Sequence, residues 1–172
     1  MHPALEQWSD FNVAIAGASA ALAGLIIVAV SVNLERILVS PAIPARTGAA
    51  IGALTLAVAA GCLSLIPDQS LSALGVEILV GALLVGWFAL LASLRIYRVA
   101  SAEHDPLLPK PPRMWPPGKI AMALASPLLF VIGGIILVTG NVDGLNWVAA
   151  GSITAIVASV GLSWIVLIEV RR

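Results

Sequence analysis

Charge is scarce in this chain. Asp, Glu, Lys and Arg make up 10% of its 172 residues, against about 25% in an ordinary soluble domain. Cysteine occurs once and histidine twice. Each shortage removes a class of function. Cys62 alone cannot close an intrachain disulfide, so the redox compartment is not readable. His2 and His104 fall outside the apolar segments. An intramembrane histidine pair for haem, or a His-rich metal site, therefore has no residues to use. HExxH, GxxxxGK[ST] and GxGxxG do not occur. No Gly-x-Ser nucleophile is matched by an intramembrane histidine, as a rhomboid-like protease would need. The sequence therefore predicts no catalytic constellation, no cofactor and no metal, and nucleic acid is not an expected partner.

Apolar residues fill the space that charge leaves. They make up 60% of the chain, and the mean hydropathy is +1.04. A soluble fold could not hide that much apolar surface. Each candidate span is measured against the roughly 20 apolar residues that cross about 30 Å of hydrocarbon. Five qualify, at about 11–34, 47–66, 71–99, 120–139 and 145–168. The first dozen residues carry no basic run, and the first apolar stretch is too long for a signal peptide core. The first helix is expected to be retained.

The nine basic residues are distributed in a regular way. Arg36 and Arg46 follow the first segment. Arg95, Arg98, Lys110, Arg113 and Lys119 follow the third, and Arg171 and Arg172 follow the fifth. The N-terminus, the second gap and the fourth gap hold no basic residue; the charges on that side are Glu6, Asp10, Asp68 and Asp143, with Glu77 just inside the third segment. Basic residues mark the cytoplasmic side. The expected architecture is an all-α membrane protein, a five-transmembrane-helix bundle. Its N-terminus is outside and its C-terminus cytoplasmic, and residues 1–172 form a single transmembrane domain embedded in the lipid bilayer.

Punctuation supports these boundaries. Pro41 and Pro44 precede the second segment and Pro67 ends it. Asp68 or Ser70 is suited to cap the third. The third segment exceeds about 40 Å as a helix, so it must tilt or project. Asn141-Val142-Asp143-Gly144 has turn chemistry. Trp8, Phe11 and Trp147 suit an outer aromatic belt. The inner loop 101–119 carries Pro106, Pro109, Pro111, Pro112, Pro116 and Pro117, a composition that favours extended polyproline geometry. It reads either as a docking strap for a membrane-protein partner or as a stiff spacer with Trp115 resting on the inner lipid surface. Glu35-Arg36, and Glu169 with Arg171 and Arg172, read as local charge pairs at that surface.

Small residues recur at four-residue spacing: Ala16, Ala20 and Gly24 in the first segment, Ala49, Ala53, Ala57 and Gly61 in the second, and Gly151, Ala155, Ser159 and Ser163 in the fifth. Such rows let helix backbones approach closely in lipid. They predict tight packing and a homo-oligomer, or alternatively a narrow permeation path. Glu77 is the one carboxylate well inside a span, with Ala73 and Gly81 one turn either side. It reads either as an interfacial residue or as part of an ion or proton route. Asp68, near the outer end, and Asn33, near the inner mouth, complete the ion-path candidates. Two readings of function follow: a self-assembling channel or transport subunit, and a non-catalytic regulator or assembly partner of another membrane protein.

The string ASAALAGLIIVAVSVNLERIL from Ala18 to Leu38 resembles the opening of a group of small bacterial inner-membrane proteins of uncharacterised function. The likeness continues through Pro41-x-x-Pro44-x-Arg46, Leu65-Ile66-Pro67-Asp68-Gln69, Gly75-Val76-Glu77 and the closing Ile168-Glu169-Val170-Arg171-Arg172. Some members carry the label "modulator of FtsH protease". The resemblance implies a bacterial cytoplasmic-membrane location and, through that label, regulation of a membrane protease. It implies no catalytic residues.

Overall fold

The computed structural model describes residues 3–32, 42–102 and 116–170. Among them the regular structure is entirely helical. A short helix α1 (Pro3–Gln7) leads into α2 (Ser9–Val32), followed by α3 (Ala42–Leu63), α4 (Leu71–Ala102), α5 (Pro116–Val138) and α6 (Gly144–Val170). Four of these helices are long and apolar enough to cross a membrane, over Ser9–Val32, Pro44–Leu63, Leu71–Leu94 and Gly144–Gly161. The described part of α5 adds a shorter apolar helix, Ala123–Val138.

Helix boundaries move from the expected ones where proline was read as a barrier. α3 starts at Ala42 rather than Thr47 and carries Pro44 in its first turn. α5 starts at Pro116 rather than Ile120. The first N–H groups of a helix have no internal acceptor, so proline costs nothing there. α3 ends at Leu63, three residues earlier than expected. Leu65 N donates to Cys62 O and Ile66 N to Leu63 O, tightening the final turn before Pro67. Ser70 is the cap of α4: Ala73 N donates to its hydroxyl at 3.1 Å. Asp68, with a φ of 57°, lies in the left-handed region of the turn before it.

The turn after α5 is a Schellman motif. Gly140, with φ 81°, donates to Leu137 O, and Asn141 N donates to Ile136 O. Asn141 Oδ1 then accepts from Asp143 N at 2.9 Å. That is the Asx chemistry expected there, and it delivers the chain directly into α6.

From α3 onward each helix runs antiparallel to the one before it. α3 packs on α2, α4 and α6, and α5 fills the space between α4 and α6. The main buried cluster joins Ile15 of α2 to Leu56, Ala57 and Ala60 of α3, Leu74, Ile78 and Ala82 of α4, Phe130 and Leu137 of α5, and Leu145 and Val148 of α6. Leu5 of α1 is fully buried in the same cluster. A second cluster gathers Ile26, Ala53, Leu54 and Ala155, where α2, α3 and α6 meet. Large apolar side chains face outward along the helices, among them Leu25, Val28, Leu84, Trp87, Val157 and Trp164. Apolar surfaces turned outward are what a bilayer solvates.

Candidate functional site

Glycine sets the depth at which the helices cross. A Cβ placed on Gly75 of α4 would lie 2.6 Å from Val138 N and 2.8 Å from Gly134 O of α5. A Cβ on Gly144 of α6 would lie 2.7 Å from Gly133 O and 2.9 Å from Leu137 N. Gly75 and Gly144 therefore flank the same stretch of α5, at one end of the bundle. On the other flank, a Cβ on Gly61 near the end of α3 would lie 2.9 Å from Asn12 O near the start of α2. The starts of α2, α4 and α6 and the ends of α3 and α5 thus share one end. Asp10, Asp68, Glu77 and Asp143 belong to that end, and Arg46, near the start of α3, lies toward the opposite one.

This register places Glu77. It follows Gly75 by two residues, as Trp147 follows Gly144 by three. At about 1.5 Å per residue, carboxylate and indole stand at nearly the same depth. Glu77 is exposed, as are its neighbours Ala73, Val76 and Val80, while Gly81 is half-buried. The face of α4 that packs is a different one: Leu71, Leu74, Gly75, Ile78 and Ala82. Gln69 Nε2, from the turn before α4, donates to Glu77 Oε2. The carboxylate is thereby tied to its own turn. Three residues separate Glu77 from Leu74, which turns it about 60° beyond that edge of the packed face.

The small-residue rows part company. On α3, Ala53, Ala57 and Gly61 are buried and Ala49 is half-buried. On α6, Gly151, Ala155 and Ser159 are buried, Gly151 lying against the Phe130 ring, while Ser163 is exposed. On α2 only Ala16 is in contact, 3.2 Å from a Cβ on Gly61. Ala20 and Gly24 are exposed, and a Cβ on Gly24 would meet nothing within 4 Å. Within this chain they are not packing residues. A four-residue step overshoots the 3.6-residue turn by about 40°, so by Gly24 the row has rotated off the buried face.

The two closest approaches fall outside the expected rows, at Gly75 and Gly144, and Gly133 and Gly134 of α5 face them; among the row residues Gly61 comes nearest, at 2.9 Å from Asn12 O. A further contact was invisible in the sequence. Ser126 Oγ donates to Gly151 O across the α5–α6 interface at 3.0 Å, beside Pro127, which supplies no N–H to the turn before it. On the outer side of that interface Ala125, Ile153, Thr154, Val157 and Ala158 line an open apolar groove.

Asn33, the Pro-rich stretch 103–115 with Trp115, Glu35-Arg36 and Arg171-Arg172 lie outside the described residues. Among the described residues no group of three His, Cys, Asp or Glu could hold a metal ion. No family model, curated protein or solved structure matches this chain.

Proposed function

We propose that this chain is a five-span protein of a bacterial cytoplasmic membrane, N-terminus outside, acting as a self-assembling subunit whose ion path, where it conducts, lies between copies. The fifth crossing is supported by register. α4 and α6 start at the same end of the bundle, so α5 must return the chain across it. Its 23 residues span about 34 Å. The orientation is supported by the nine basic residues, all of which follow the first, third and fifth segments and so mark the opposite, cytoplasmic side.

Self-assembly rests on α2. Its inward face carries Asn12, Ile15, Ser19 and Ile26. On the opposite side, at helical spacing, lie Gly17, Ala20, Ala21 and Gly24, all exposed. A Cβ on Gly17 or Gly24 meets nothing within 4 Å. A lipid-facing surface is ordinarily built from larger side chains, and small residues are what let two transmembrane backbones touch. The ion path is assigned between copies because Glu77 is on the outside of the bundle while small residues close the inside.

The test is the stoichiometry of the purified protein in lipid nanodiscs, read by native mass spectrometry. A defined oligomer that Gly17→Leu and Gly24→Leu disperse, and Leu84→Ala does not, supports the proposal. A monomer at every lipid ratio removes it. That outcome leaves the regulator reading, in which the same α2 face receives a helix of another membrane protein.

A further inference from the structure

We infer that the seam where α2 meets α3 and α6 binds internal water, at Asn12, Ser19 and Ser159. Asn12 is 6% exposed, Ser19 0% and Ser159 1%. Asn12 Nδ2, Ser19 Oγ and Ser159 Oγ have no protein hydrogen-bond partner. The serines differ from their neighbours in this respect. Ser31, Thr55, Ser64, Ser93, Ser152, Thr154 and Ser163 all donate to the carbonyl four residues back. Ser19 and Ser159 do not, although Ile15 and Ala155 offer the same acceptor. Their hydroxyls are buried without that bond.

Asn12 stands at the Gly61–Ala16 crossing. Ser19 follows it by two turns on the same face of α2. Ser159 lies one turn beyond Ala155, the residue of α6 that packs against Ile26, Ala53 and Leu54. A buried amide or hydroxyl in a membrane interior is costly without a partner. Water supplies both donor and acceptor and is the ligand that internal polar groups ordinarily take. The opposite side of the bundle is built differently: α4, α5 and α6 are held by backbone approach at Gly75, Gly134 and Gly144. The fold therefore has a dry half and a wet half, and α2, which carries the exposed small-residue face, belongs to the wet half. The inference stands whether or not the chain self-assembles.

The experiment compares reversible unfolding in bicelles for Asn12→Leu, Ser19→Ala and Ser159→Ala with Ser152→Ala as the control. Each of the first three substitutions removes the group that holds a water, and the hydrogen bond to that water is lost with it. The first three should therefore lower the folded-to-unfolded ratio by about tenfold, with Ser152→Ala near wild type. Variants as stable as wild type, or more so, overturn the proposal: the hydroxyls then turn to their own helix and the amide is merely unsatisfied. Hydrogen exchange on the unmutated protein gives a second reading. Amides around Ile15–Ser19 should exchange faster than those around Gly133 and Val148, and equal protection overturns the proposal as well.

Discussion

Gly75→Ala tests the crossing that sets the register of α4 against α5. In an unencumbered helix this change would stabilise by about 1 kcal/mol, because glycine is a poor helix former. Here the added methyl would stand 2.6 Å from Val138 N, 2.8 Å from Gly134 O and 2.8 Å from Leu137 Cβ. Two of those atoms are backbone and cannot rotate away, so the helices must separate. Overpacking typically costs about 1–3 kcal/mol, and this site belongs near the upper end, which leaves a net loss of about 1–2 kcal/mol after the propensity gain. That is roughly a 5- to 30-fold drop in the folded-to-unfolded ratio, measurable by titrating the protein out of mixed micelles with sodium dodecyl sulfate while following helicity. Gly17→Ala, where the methyl meets nothing within 4 Å, is the internal control and should be neutral or slightly stabilising in the dispersed protein. If Gly75→Ala matches Gly17→Ala, the backbone contact does not exist and the register argument for Glu77 fails with it.

Ser126→Ala should cost about 0.6 kcal/mol, the usual worth of an interhelical hydrogen bond in a membrane protein, since Gly151 O keeps its own helical donor; a loss several times larger would mean that the hydroxyl also compensates the break at Pro127. In a Cys62→Ser background, which removes the exposed native thiol, Ser70→Cys should react with an impermeant thiol reagent from outside and Ser101→Cys should not; the reverse pattern refutes the orientation. Glu77→Gln should leave folding and assembly nearly intact, because the group is exposed and its partner among the described residues is Gln69. If the carboxylate serves an ion path between copies, the same variant should cut ion or proton flux in liposomes. Flux unchanged by the substitution discards Glu77 as the site, and no wild-type flux under any gradient discards the channel.

The sequence by itself determined what depends on composition and order along the chain. Hydropathy located every long helix, because apolar length is a local property. The alternation of charge told which helix ends belong together, since successive antiparallel helices must deliver alternate gaps to alternate ends. Ser70 and the Asn141 turn were legible because a cap and an Asx turn are made by residues within three positions of each other. Tertiary structure decided everything that depends on how one helix is rotated against the next. Ala16 and Gly24 belong to one row, yet one meets Gly61 and the other meets nothing; a straight helix turns such a row by about 40° at each step. α3 keeps Ala53, Ala57 and Gly61 buried despite that rotation because helices surround it on several sides. Gly75, Gly134 and Gly144 were unreadable for the complementary reason. A crossing uses one residue from each helix, and no spacing within either chain segment announces where the two will touch.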